Sequence, residues 1–131
     1  MSVYRWIDHT AEVELEIRAG AEREVFADAM LALAELLGVD GEPLEEHRVE
    51  VSAEDRPALL AAWLEELVFL AESEGFVALR LEWIELRADA LSAEVSGRYD
   101  EPPPLVKAVT YHGLVFAEHP GGYVARVVLD V

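Results

Sequence analysis

The sequence of 131 residues contains no cysteine, which excludes a disulfide framework, thiolate chemistry and zinc held by cysteine. It also lacks any apolar run of roughly 18 residues, the length that a transmembrane helix requires. Its N-terminal segment does not show the charged region and apolar stretch of a secretory signal peptide. We therefore expect a cytoplasmic protein that has no membrane partner.

Basic residues are scarce. Lysine and arginine total 10 against 27 aspartates and glutamates, so the formal net charge is −17. Such a surface repels the phosphates of nucleic acids unless a metal ion or a local basic patch intervenes. We expect no strong direct binding to nucleic acid, whereas a basic protein would be a suitable partner. The acidity could also serve solubility alone.

Lys107 is the only lysine in the chain, and the other nine basic residues are arginine. A compact ammonium differs from a planar guanidinium in its hydration and in its hydrogen-bonding geometry. Position 107 is therefore a candidate for a role that needs an ammonium, such as contact with a phosphate or with an acidic group of a partner. Chance survival of one lysine is the alternative interpretation.

The chain is 53% hydrophobic and 28% charged, which is typical of a globular protein, and its length predicts one domain over residues 1–131. The apolar period predicts two helices, one over 22–37 ended by Gly38 and one opened by Asp55 and ended near Gly75. Strands are predicted at 12–18, 48–53, 77–88, 91–99, 105–117 and 123–131, with a bulge in 77–88. This order predicts an α+β fold in which two helices pack on one face of a largely antiparallel β-sheet.

Acidic side chains occur just before the first predicted strand and at the end of the last one. Glu12 begins the polar face of strand 12–18, where a ligand can reach it, whereas we expect Glu14 and Glu16 to lie on a solvated face. Asp130 ends a strand that is apolar on both faces, so its carboxylate needs a partner or a metal. Oxygen donors from the two chain ends would suit a hard cation. The alternative is an ordinary turn, because Asp and Thr side chains readily hydrogen-bond the local backbone.

Asp8, His9 and Thr10 also allow the hypothesis of a small hydrolase. Neighbouring residues of a strand point to opposite faces, so an adjacent Asp-His pair is poorly placed to act as a dyad. No nucleophile elbow and no phosphate loop accompanies these residues. This hypothesis is therefore the least favoured.

Five segments recur in the order and at the spacing of one protein family. They are residues 8–12 (Asp-His-Thr-Ala-Glu), helix 22–37, residues 63–67 (Trp-Leu-Glu-Glu-Leu), residues 106–112 (Val-Lys-Ala-Val-Thr-Tyr-His) and the Val-Leu-Asp-Val ending. Together they resemble the archeases, and the similarity covers essentially the whole chain. The resemblance implies an archease-like α+β fold.

The resemblance also implies a function. Archeases are accessory proteins of the RtcB-type tRNA-splicing ligase, which joins RNA ends with GTP and divalent metal. They promote guanylylation and multiple turnover of that ligase without catalysing the joining themselves. The implied cofactor is a divalent cation, calcium first, with Mg²⁺ or Mn²⁺ as alternatives. A general chaperone or protein-interaction module remains the competing interpretation.

The resemblance assigns roles to particular residues of this chain. The implied metal ligands are Glu12, Asp130 and the terminal carboxylate of Val131, with Asp8 nearby. Lys107 matches the functional lysine of the family. The motif residues without an assigned role are His9, Thr10 and His112. The family usually has Asp at the position of Glu12, and the extra methylene suits the flexible shell of calcium better than the strict octahedron of magnesium.

Overall fold

The computed structural model describes residues 2–9 and 11–131, and for Asp8 and His9 it describes the backbone alone. The elements in chain order are β1 (Val3–His9), β2 (Glu12–Ala19), α1 (Glu22–Leu37), β3 (Glu45–Ser52), α2 (Arg56–Glu74), β4 (Phe76–Leu86), β5 (Ala90–Tyr99), β6 (Ala108–His119) and β7 (Gly122–Asp130). All strand pairs are antiparallel. The predicted α+β class is confirmed, and the strands divide into two sheets, β1-β2-β7-β6 and β3-β5-β4.

The core lies where the helices meet both sheets. Helix α1 contacts β1, β2 and β7 of the four-stranded sheet and β4 of the other, while α2 contacts β6 and all three strands of the smaller sheet. Trp63 of α2 is fully buried, and its Nε1–H donates to the carbonyl oxygen of Phe26 in α1 at 3.0 Å. The Phe26 ring stands edge-on to Trp63, with 6.2 Å between the ring centroids. These contacts hold the two helices together as one layer.

Both helices begin and end where the sequence predicts. Helix α1 has no side-chain cap at Ala21, and it ends at Gly38, whose φ of 75° is in the left-handed region. Helix α2 begins after Asp55, whose Oδ1 accepts a hydrogen bond from the N–H of Ala58 at 2.9 Å, and it ends at Gly75 with a φ of 72°. Glycine adopts this conformation without steric cost, which makes it a natural helix terminator. Neither helix is long and apolar enough to cross a membrane.

Several strand predictions are confirmed and others need correction. The β4–β5 hairpin turns at residues 87–89, and β4 carries register shifts between Ala78 and Trp83, as the predicted bulge requires. Strand β1 was not predicted, because its apolar residues occur on both faces and show no clean alternation. Strand β6 begins at Ala108, later than predicted, and its pairing with β7 is interrupted between Thr110 and Val115.

The four-stranded sheet has one apolar face and one charged face. Alternate residues of β2 and β7 are fully buried towards the helices: Leu15, Ile17, Ala125, Val127 and Leu129. The residues between them form the outer face, which begins at Glu12 and Asp130 and continues through Glu14, Glu16 and Arg126. Strand β7 lies between β2 and β6, so the prediction of a central strand is confirmed.

Candidate functional site

Strand pairing brings the two predicted acidic ends of the chain together. Glu12 of β2 lies directly opposite Asp130 of β7. On either side, the backbone of His9 in β1 pairs with Glu12, and Ala108 in β6 pairs with Asp130. Directly opposite residues of an antiparallel pair project to the same face. The Glu12–Asp130 pair therefore lies on the outer face at one end of the sheet, and both residues are half-buried.

Backbone hydrogen bonds place two further predicted residues at this end of the sheet. The N–H of Lys107 donates to the carbonyl oxygen of Asp130 at 2.8 Å. The N–H of Val131 donates to the carbonyl oxygen of Ala11 at 3.3 Å. Ala11 has a φ of 62°, a left-handed conformation that is uncommon for a residue with a Cβ. Lys107 and Val131 are thus held beside the acid pair by their backbones, and the Lys107 side chain is exposed.

The two carboxylates of the pair are not neutralised by any contact within the described residues. No side-chain hydrogen bond or ion pair joins Glu12 or Asp130 to another residue there. Like charges directly opposite on neighbouring strands destabilise a sheet, and a cation between them would offset that repulsion. Within the same residues, no group of three or more His, Asp or Glu side chains could hold a metal ion. The described residues therefore supply two carboxylates of a candidate hard-cation site.

The remaining predicted residues have different outcomes. Thr10 and the side chains of Asp8 and His9 lie outside the described residues, and the Asp8 backbone pairs with Val13 rather than with Glu12. His112 is exposed in the interrupted segment of β6, four residues beyond Ala108, and its N–H donates to Thr110 Oγ1 at 3.1 Å. The structure brings the backbone of Lys107 to the acid pair, whereas His112 lies apart from that pair.

The expectation that Glu16 lies on a solvated face is wrong. Its side chain is only 7% exposed, because arginines from three directions cover it. Arg5 Nε lies 2.9 Å from Oε1, Arg126 Nε lies 3.1 Å from Oε2, and Arg18 Nε lies 4.0 Å from Oε1. The hydrogen bond from Arg5, together with the charges of Arg5 and Arg126, outweighs burial and lowers the pKa of Glu16. No local sequence signal could reveal this cluster, since it depends on the strand register.

Comparison with known proteins identifies the family. A model of the archease protein family matches residues 4–131. The chain belongs to the archease family. It is 35% identical to protein archease of Archaeoglobus fulgidus over 98% of both chains. It is 31% identical to that of Methanosarcina mazei over 98% of this chain and 95% of the relative.

Solved archease structures agree with this fold. The solution structure of Methanobacterium thermoautotrophicum protein 1598 superposes with a TM-score of 0.74, at 30% identity and 98% coverage of both chains. The crystal structure of a Thermotoga maritima archease, described as a possible chaperone, superposes with a TM-score of 0.70 at 24% identity, covering 95% of this chain and 94% of that one. The family and fold predicted from the sequence are therefore confirmed.

Proposed function

We propose that this archease is a cytoplasmic accessory protein of an RtcB-type tRNA-splicing ligase. It promotes the metal- and GTP-dependent guanylylation of the ligase and so allows multiple turnover, without joining RNA itself. The observation that carries the proposal is the Glu12–Asp130 pair. These two half-buried residues lie opposite each other at one sheet end, without an ion pair to any described side chain, and the backbone of Lys107, the only lysine of the chain, is hydrogen-bonded to Asp130.

The donor chemistry of the pair fits a hard divalent cation. Glu12 and Asp130 would hold it, with Asp8 and the carboxylate of Val131 as the further oxygen donors. Carboxylate oxygens at variable spacing suit calcium first, while Mg²⁺ or Mn²⁺ would need stricter geometry or more water. When bound, such an ion supplies positive charge that offsets the charge developing on phosphate oxygens during guanylyl transfer.

The residues of this chain hold the acidic donors in place and provide the charge that attracts the ligase. The antiparallel pairing fixes the separation of the two acidic residues, so the donors are arranged before a partner binds. Lys107, whose backbone is hydrogen-bonded to Asp130, has an exposed side chain whose ammonium is available to a phosphate or to an acidic group of the ligase. A net charge of −17 should attract a basic RNA-binding enzyme, which makes association fast and dependent on salt.

The proposal is tested by measuring guanylylation and multiple-turnover RNA ligation of the partner ligase with the wild type and with Asp130→Asn and Glu12→Gln. We expect the wild type to restore turnover and each variant to lose about tenfold or more of the stimulation, since even outer partners of a metal site contribute about that much. Glu50→Gln, on the exposed surface of the other sheet, is the matched control. Lys107→Arg tests whether an ammonium is required.

Two results would contradict the proposal. If the wild type does not stimulate a competent ligase, the accessory function is wrong. If Glu12→Gln and Asp130→Asn stimulate as well as the wild type, the function stands but the acid pair is not its site.

A general chaperone or protein-interaction module is the second candidate. The description of the Thermotoga maritima archease as a possible chaperone favours it. It predicts that the protein keeps unrelated proteins from aggregating and that Asp130→Asn does so equally well. A light-scattering assay in which the wild type gives no protection would remove this candidate.

A further inference from the structure

Three of the nine arginines gather on the outer face of the four-stranded sheet. Arg5, Glu16 and Arg126 lie opposite one another across β1, β2 and β7, and Arg18 follows two residues along β2. Glu16 is their shared carboxylate. In a chain with a net charge of −17, this arginine patch is a local reversal of charge, with three positive side chains around one negative side chain.

The hydrogen-bonding capacity of the arginine patch exceeds what Glu16 can accept. A guanidinium carries five N–H donors, so the patch offers about fifteen, while one carboxylate has about four lone-pair sites. The two short bonds from Arg5 and Arg126 both use Nε. The side chains of Arg5, Arg18 and Arg126 remain 67%, 55% and 47% exposed. Most of their donors are therefore available to an anion with several oxygens, and phosphate matches the planar fork of arginine well.

The surroundings of the arginine patch suit an extended ligand. Its cross-strand neighbours away from the acid pair are uncharged, since Val3 and Val124 lie opposite Arg18, and Val115 lies opposite Arg126. An open groove of about 420 Å³ runs beside it, lined by Val3, Tyr4, Arg5, Glu16 and Arg18. Towards the other end of the sheet, Glu14 separates the patch from the Glu12–Asp130 pair.

The arginine patch and the acid pair occupy the same face at a defined separation. Glu16 and Glu12 are four residues apart on β2, which corresponds to about 13 Å along the strand. We propose that the patch of Arg5, Arg18 and Arg126 binds a backbone phosphate of the RNA that the ligase joins. The choice of RNA rests on the proposed function, whereas the preference for phosphate rests on the arginines.

Binding to free RNA should be weak, because the net charge of −17 opposes it. The contact gains strength when the ligase holds the RNA against this face, since the second contact is then effectively intramolecular.

The direct test is an NMR titration of the ¹⁵N-labelled chain with a short single-stranded RNA at low salt. Two variants form a matched pair. Glu16→Gln keeps all three arginines, and the second variant adds Arg5→Gln, Arg18→Gln and Arg126→Gln, so that no buried carboxylate is left without a partner. Arg80→Gln, on the other sheet, is the control.

We expect RNA to shift the amide signals around Glu16 in β1, β2 and β7 of the wild type and of Arg80→Gln. Glu16→Gln should respond at least as strongly, because it removes the only negative charge of the patch. The variant that also lacks the three arginines should lose these shifts. Absent shifts in the wild type, or equal shifts in both members of the pair, would overturn the proposal.

Ligation kinetics separate this proposal from the accessory function. Relative to Glu16→Gln, loss of the three arginines should raise the KM for RNA about tenfold. It should leave guanylylation, measured without RNA, unchanged. Equal losses in both assays would mean that the patch binds the ligase, which overturns the RNA assignment. RNA-induced shifts together with a wild type that does not stimulate guanylylation would keep the phosphate site and contradict the accessory function instead.

Discussion

Two acidic residues on the same face of β2 have opposite environments. Glu16 lies opposite Arg126, and its side chain is 7% exposed beneath three arginines. Glu12, four residues earlier, lies opposite Asp130, and within the described residues its side chain has no ion pair. The strand and the residue type are the same, and the difference comes from the register partner on β7, because Arg126 neutralises Glu16 whereas Asp130 places a second negative charge opposite Glu12.

The like-charged pair of Glu12 and Asp130 has a cost that the arginine patch around Glu16 avoids. Like charges directly opposite on neighbouring strands destabilise a sheet, while opposite charges stabilise it. Local violations of this kind are expected at functional sites, where stability gives way to binding. The contrast between the Glu12–Asp130 pair and the arginine patch is therefore an argument for ligand binding at Glu12 and Asp130, and it can be tested by stability measurements alone.

The largest expected effect is stabilisation by calcium. At a free concentration of about 100 times the Kd, binding to the folded state alone raises the free energy of unfolding by about 2.7 kcal/mol. Thermal melts with calcium and with a chelator should show this increase in the wild type and in Glu16→Gln. The double variant Glu12→Gln, Asp130→Asn should show none, and an undiminished calcium effect in it would refute the acid-pair site.

The next largest expected effect is the loss of stability when Glu16 no longer pairs with the arginine patch. Glu16→Gln should lower the free energy of unfolding by about 1 kcal/mol, because it removes charge-assisted hydrogen bonds whose exposed arginines are partly screened by solvent. Urea denaturation measures the change. Glu50→Gln, which alters a pair in which both side chains are more than half exposed, should change stability by no more than about 0.5 kcal/mol. If the two variants behave alike, Glu16 is not the structural acid that its burial indicates.

This stabilisation should depend on pH with a definite sign. The pKa of Glu16 is lowered in the folded state, first by the hydrogen bond from Arg5, so its contribution is present above the ordinary pKa of 4.5. It disappears as pH falls through the lower pKa of the folded state. Wild type and Glu16→Gln should differ by a constant amount near neutral pH, and their difference should close at more acidic pH. A difference that widens on acidification would contradict this assignment.

The smallest effect has the opposite direction. In the presence of a chelator, Asp130→Asn should raise the free energy of unfolding by about 0.2–1 kcal/mol, because it removes a like charge opposite Glu12. Thermal melts of the metal-free proteins measure it, and Glu50→Gln again serves as the control. A clear loss of stability in Asp130→Asn would show that its carboxylate has a structural partner.

Local signals explain the accuracy of the helix predictions. The caps at Asp55, Gly38 and Gly75 act through hydrogen bonds and backbone conformations that involve only a few neighbouring residues. Strand β1 was missed because its apolar residues do not alternate cleanly. The division into two sheets also could not be predicted, since alternation shows that a strand has two faces without showing which strands pair.

The residues of the candidate site were likewise predicted only in part from the sequence. The sequence and its archease resemblance pointed to Glu12, Asp130, Val131 and Lys107, and strand pairing places all four at one sheet end. The roles predicted for Asp8, His9 and Thr10 stay predictions, because Thr10 and the side chains of the other two lie outside the described residues. His112 lies apart from the Glu12–Asp130 pair. Nothing in the sequence indicated the arginines around Glu16.

The sequence by itself determined the helices with their ends, the α+β class and the family, and it predicted a role for the acidic residues at the two chain ends. Short-range hydrogen bonds and hydrophobic periodicity carry this information, and both involve residues that are close together in the sequence. Only the tertiary structure decided which charged residues lie opposite one another in the sheet. Glu16 and Arg126 are 110 positions apart, and the register of β2 with β7, set by the burial of Leu15, Ile17 and Val127, puts them together. The same register sets Glu12 against Asp130, because once the buried faces are aligned every outward pair is fixed as well.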